Sequence, residues 1–447
     1  MATTTWTGDS TSNNLWSNDD NWDNDAPDST VDAIIPDCTS LDVPLLEATA
    51  ECNSLTMVAG ADINGNGNNL EIHGEADGTG VTQAGYCIWV RGKFTNSLDV
   101  EIFASSSTNC SVTPSDSSMI RDLKVNKSDV LFYTIDALSL SRNLNINQGT
   151  FNTQNNNLTV PNLVTVNGTF TGTTDGTLTF GSLKGTGTFH APTSTVEIDD
   201  RDESTGKALD IDGLTIATND LNVNITSDKN QDLDIGDDKI HDLTINSVTN
   251  TRINYFTSNG SIDGDLTITS GILNTFNRTL EVDGACSIAA DGKLEANVNG
   301  NVAVTLGSLT IASGGIYNAT SATTTLTSKT SSGNYSLDNQ GTFTNNSGTI
   351  KVTGDGGHIR EQGTGDINNL IVELGGSSET HKLSDSTTVG GTLTIVEGDF
   401  QPNGRNLTVT GDVSIESGGT ITGSSGAMSF GSLTIASGGT YIATSGT

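Results

Sequence analysis

Apolar and polar residues alternate in short runs along most of the chain. Leu266-Thr267-Ile268, Leu309-Thr310-Ile311 and Leu407-Thr408-Val409 each put two aliphatic side chains on one face of an extended strand and a threonine on the other. β-Branched residues favour such strands. Between the runs sit Ser-Gly, Asn-Gly and Asp-Gly pairs, which supply the positive-φ positions that tight turns need. No stretch carries an apolar stripe of 3.6-residue period over a helix length. The pattern therefore predicts many short strands joined by tight turns, and no helices.

The runs recur in order. The motif Ile-x-[Asp/Asn]-Leu-x-[Val/Ile] occurs at Ile120–Val125, Ile240–Ile245 and Ile367–Val372. Gly-Ser-Leu begins at Gly181, Gly307 and Gly431. Between these markers, Asn143–Val160, Asp265–Val282 and Thr392–Val409 align without gaps, and GSLTIASGG is identical at Gly307–Gly315 and Gly431–Gly439. A superunit of about 125 residues is thus repeated. Within it lies a shorter period. Leu123, Leu144, Leu163 and Leu183 form one series, Leu243, Leu266, Cys286 and Leu309 a second, and Leu370, Leu393, Val413 and Leu433 a third. The spacing is about 21 residues, one turn of a solenoid.

Alternation at period 2 inside a 21-residue period predicts an all-β fold: a parallel β-helix, or β-solenoid, of about 20-residue coils, most simply right-handed. Leucine-rich, ankyrin and tetratricopeptide repeats fit badly, because each needs a helix or its own signature. With strands stacked about 4.8 Å apart, the coils would build a rod on the order of 90 Å long. The expected organisation is a Trp-rich N-terminal cap and attachment region over 1–35 holding Trp6, Trp16 and Trp22, first coils over 36–117, and superunits over 118–239, 240–366 and 367–447. The last is incomplete, since Thr447 aligns with Thr323 of the preceding copy. A longer chain or a covering partner is expected there. Asn155-Asn156-Asn157 and Asn345-Asn346 are turn residues that either stack as amide ladders or are simply solvated.

Composition changes this picture in one respect. The 447 residues carry 53 Asp and Glu against 19 Lys and Arg, a formal charge of −34. Nucleic-acid binding, which needs clustered cations, is excluded, and the acids become the solvated skin of the solenoid. No apolar run reaches the ~18 residues of a membrane span, so no membrane insertion is expected. The opening Met1-Ala2-Thr3-Thr4-Thr5-Trp6 has neither a basic nor an apolar signal region.

Candidate chemistry is sparse. The acids Asp199, Asp200, Asp202 and Glu203, and Asp232, Asp234, Asp237 and Asp238, are dense enough to be considered as carboxylate pairs for glycoside hydrolysis. Acidic turns are expected in so acidic a chain, however, and the reading is of a protein that is not an enzyme. Asp19–Asp25 and Asp228–Asp238 offer clustered oxygens for Ca²⁺ without matching a known calcium loop. His73, His190, His241, His358 and His381 are scattered, without zinc-site spacing, and His241 falls at a varying motif position, which argues for the surface. Cys38, Cys52, Cys87, Cys110 and Cys286 read as buried thiols, Cys286 because Val413 takes its place in another copy, and Cys87 and Cys110 as neighbours on successive turns. No catalytic, cofactor-binding or metal-ligating residue is assigned.

The Trp-Thr-Gly…Trp…Asn-Trp…Pro opening, the Leu-Thr-Ile-x-Ser-Gly-Gly coils and the acidity together resemble β-helical fibre and spike proteins of tailed bacteriophages. They also resemble β-helical passengers of bacterial adhesins and autotransporters. The phage resemblance implies a structural virion protein made in the host cytoplasm. It would be a rigid spacer and adhesive for host surface glycans, joined to other virion proteins through its N-terminal region and trimeric by analogy. A bacterial cell-surface adhesin or surface-layer protein is the alternative, and a polysaccharide-degrading β-helix a third. The absence of a signal region favours the virion.

Overall fold

The computed structural model describes residues 2–76, 86–103, 109–112, 120–172, 176–217, 220–296, 301–443 and 445, with backbone alone at 109–112 and 129–130. The chain forms two compact units, Met1–Asn222 and Val223–Thr447. Each is a parallel β-solenoid, and the turns number about 18, of roughly 21 residues each. No α-helix occurs among the described residues, only two single 3-10 turns at Asp19–Asn21 and Cys38–Ser40. The alternation seen in the sequence is the packing code: Leu266 and Ile268 are fully buried while Thr267 between them faces outward.

In the first unit an inward column runs Ala50, Leu70, Val100, Leu123, Leu144, Val164, Leu183, Leu209, one residue per turn. Leu163, expected in this column, is displaced by Val164. Pro161 has no N–H to give the ladder, the register slips between Val160 and Leu163, and the Leu163 N–H turns instead to the Asn143 side chain at 3.3 Å. Leu163 is left partly exposed and the inward phase resumes one residue later. On another face Phe132, Phe151, Phe170 and Phe189 lie in register, all fully buried, with neighbouring rings 5.2, 5.9 and 4.7 Å apart and nearly parallel. Such offset stacks add to the burial of each ring.

The start of this unit is woven into the ladder. Strand Ala2–Thr5 pairs in parallel with Val31–Ile35. Trp22 packs edge-on against Trp6 at 5.2 Å and Trp16 at 4.9 Å. The indole N–H of Trp6 donates to the Asp42 carbonyl at 2.7 Å and that of Trp22 to the Trp16 carbonyl at 2.9 Å.

Each turn of the second unit carries three strand segments, as in 266–268, 272–274 and 280–282. One inward column runs Leu243, Leu266, Cys286, Leu309, Leu337, Ile359, Leu383. A second runs Leu280, Val304, Thr324, Ile350, Leu370, Leu393, Val413. The equivalent motif residues Leu243 and Leu370 therefore stand on different faces. The superunit is not a whole number of turns, because single turns stretch, as from Leu309 to Leu337.

Two local devices recur through the copies. The [Asp/Asn] of the motif reaches to the next turn: Asp122 Oδ1 accepts the N–H of Asn143 at 3.1 Å, Asp242 that of Asp265 at 2.7 Å, and Asn369 that of Thr392 at 2.9 Å. In the last two cases the residue before the donor is glycine, since a Cβ on Gly264 or Gly391 would lie 2.3 Å from the accepting oxygen. The second device is a two-residue turn with both central residues at positive φ: Gln154-Asn155, Phe276-Asn277 and Asn403-Gly404. Each is closed by a bond from the fourth N–H to the first carbonyl, at 2.9 Å in all three copies. Asn156 and Asn345 donate to backbone carbonyls of neighbouring turns, Thr134 and Asp366, at 3.0 and 2.8 Å, rather than to a stacked amide.

Candidate functional site

A cleft of about 280 Å³ opens on the outer surface of the first unit. Strands Leu158–Val166, Leu178–Gly185 and Lys207–Asp210 set its floor, with Thr165 opposite Lys184 and Lys184 opposite Asp210 on successive turns. Asn167, Thr186 and Asp212 complete the lining. Gly185 keeps the floor bare, because a Cβ there would lie 1.9 Å from the Val166 carbonyl oxygen. The turn from Leu183 to Leu209 is lengthened, and its extra residues form the acidic loop at 199–206.

That loop locates the first acid group. Asp202 takes Lys184 Nζ on Oδ2 at 3.0 Å, and the Ser204 amide and hydroxyl on Oδ1 at 2.9 and 2.6 Å. Burial opposes its ionisation, but the bonds from Ser204 and Lys184 outweigh that and hold its pKa down to about 2. Asp199 shifts the other way, raised by burial and then by the Asp200 charge. Glu203 lies 3.7 Å from Arg201 at the surface. Oδ2 of Asp202 ties the loop to the cleft wall through Lys184, and Oδ1 closes the loop on itself through Ser204.

The cleft offers hydroxyls, an amide, an ammonium and carboxylates within one small volume. Lys184 and Lys207 are engaged by Asp202 and Asp210, the latter pair at 2.9 Å. An anion would meet Asp210 and Asp212. A neutral, hydroxyl-rich ligand is the chemistry this lining matches, at the small end of ligand pockets.

The other acidic runs are built differently. Asp232 and Asp234 alternate along strand Gln231–Asp234, facing outward, while Asp237 and Asp238 follow in a turn. In Asp19–Asp25 the oxygens serve the fold: Asp19 accepts from the Ala26 N–H at 3.0 Å and Asp23 from the Thr5 N–H at 2.6 Å.

Histidines divide by burial. His241 is at the surface, 2.7 Å from Asp263, as its varying position implied. His190 ends strand Thr188–His190. His358 approaches Ser384 at 3.1 Å. His381 is wholly buried opposite Phe400, with Nε2 3.2 Å from Ser336 Oγ, and burial lowers its pKa to about 3. His73 comes together with Glu51 and Glu71, their ligand atoms all within 4.8 Å of one another. The sequence carries one signal for this group: Glu51 and Glu71 are 20 residues apart, one turn of the solenoid.

Cys38, Cys52 and Cys286 are buried free thiols, and Cys87 is buried as well. Burial raises the Cys286 pKa to about 12. The Cys110 side chain lies outside the described residues, so its expected stacking on Cys87 does too.

No family model, curated protein or solved structure matches the chain.

Proposed function

We propose that this protein is a structural and adhesive solenoid, a fibre or spike component of a bacteriophage particle that holds hydroxyl-rich host glycans against its outer face. The observation that carries this reading is the parallel ladder that the described residues of each unit form. Apolar columns fill the inside, and rows such as Thr244, Thr267, Ser287 and Thr310 repeat hydroxyls on the outside. Repeated weak sites gain by avidity. The cleft at Lys184 is the place where one sugar unit would be gripped rather than grazed. Immunogold electron microscopy of purified particles tests the assignment. Label on projections is expected. Label on bacterial envelopes and none on particles would replace it with a cell-surface adhesin. A reducing-end assay on host polysaccharide should stay at background, and release of ends would make the protein a degrading enzyme.

A further inference from the structure

Glu51 and Glu71 are direct partners across the ladder between Ala50–Cys52 and Asn69–Ile72. Like charges placed opposite each other in a sheet repel. The next acid in this row, Glu101, is answered by Lys124 at 3.3 Å and the Asn126 amide at 3.0 Å. Beside Glu51 and Glu71 stands an imidazole instead. His73 Nε2 lies 3.4 Å from Glu51 Oε2 and 3.5 Å from Glu71 Oε2. Neither contact is a hydrogen bond, and Nε2 is shielded from solvent with no hydrogen-bond partner among the described residues. The ring is held by Phe103, stacked at 5.4 Å and 12°.

The geometry points to a zinc-type divalent cation site formed by Glu51, Glu71 and His73. Zinc bonds to nitrogen and carboxylate oxygen are about 2.0–2.1 Å, and a tetrahedron of that size sets its ligand atoms about 3.3–3.4 Å apart. The two separations from Nε2, 3.4 and 3.5 Å, lie close to that edge, and the two carboxylate oxygens lie within 4.8 Å of each other. One imidazole with two carboxylates suits zinc better than calcium, which takes six to eight oxygens. The fourth position falls to water, since Glu51 is half exposed. The ion neutralises the facing carboxylates and clamps two successive turns of the first unit.

The test is calorimetric titration of the chelator-stripped full chain with Zn²⁺, in excess Ca²⁺ to saturate non-specific surface carboxylates. One Zn²⁺ per chain is expected. His73→Ala and Glu71→Gln should each weaken it by at least about 100-fold, beyond the loss usual for outer-shell partners. His241→Ala, in the second unit, should leave it intact. Co²⁺ should give the visible absorption of a four-coordinate site in the wild type and not in His73→Ala. Glu51→Gln, at a half-exposed position, repeats the test where folding is not at risk, with circular dichroism as the check. A wild-type chain that takes up no stoichiometric Zn²⁺ overturns the assignment. So do folded His73→Ala and Glu51→Gln chains that bind it as tightly as the wild type.

Discussion

Asp242 Oδ1 accepts the backbone N–H of Asp265, one turn further along the second unit, at 2.7 Å. Asp265 in turn accepts the N–H of Ala285 at 2.7 Å. A carboxylate in each turn thus takes up a donor that the strand ladder leaves over, which is why the repeat motif keeps Asp or Asn at this place. Asp242→Ala should lower stability by about 0.5–1.5 kcal/mol, the net worth of a hydrogen bond whose exposed N–H can turn to water instead. Asp242→Asn should be nearly silent. Gly264→Ala should cost at least as much, because its Cβ would meet the same oxygen at 2.3 Å. Urea denaturation midpoints of the three variants check this.

The phenylalanine stack of the first unit should be its most sensitive packing element. Phe151 is fully buried between Phe132 and Phe170. Phe151→Ala should destabilise by about 3–5 kcal/mol, and Phe151→Leu by clearly less. Since each turn rests only on its neighbours, the damage should be local. Hydrogen exchange should accelerate around strands Asn143–Asn152, Leu158–Val166 and Thr169–Thr171 and leave the second unit unchanged.

One half-buried and one buried group of the second unit should set its pH dependence with opposite signs. Burial pushes Glu361 up to about 8, against the lowering bond from Asn339. Its unfolded pKa is about 4.3, so its ionisation erodes stability as pH rises from about 4.3 to 8. Glu361→Gln should therefore gain on the wild type over that window. His381 is held down to about 3 by burial. Unfolded histidine titrates near 6.5, so stability present above about 6.5 is lost as pH falls toward 3. Melting temperatures across pH 3–9 should show Glu361→Gln flattening the upper limb and His381→Gln the lower one.

The cleft makes the adhesive reading specific. Asn167→Ala and Asp212→Ala should each weaken glycan binding at least about tenfold, the loss of one or two hydrogen bonds at a polar site, while the melting temperature stays within about 2 °C. Binding measured on a glycan array and by calorimetry checks it. Equal binding by both variants would move adhesion away from the cleft to the hydroxyl rows.

The strands, the turns and their period could all be read from the residues, because Leu-Thr-Ile and Asn-Gly act through neighbours a few positions away. That Val164 rather than Leu163 stands in the inward column is not legible in the period, because Pro161 alters a ladder whose partner lies in another turn. Nor does the sequence mark His381 as a core residue, since its burial comes from Phe400 above it and Ser336, 45 positions earlier.

A parallel β-solenoid with an apolar inside and an acidic, hydroxylated outside follows from the residues alone, since period 2 and period 21 are properties of the chain. That Leu243 and Leu370 fall on different faces, that Asp202 reaches Lys184, and that Glu51, Glu71 and His73 converge follows only from folding, because the turns are of unequal length. Each added residue shifts what stands above what, and the chemistry of a solenoid lies in those vertical contacts.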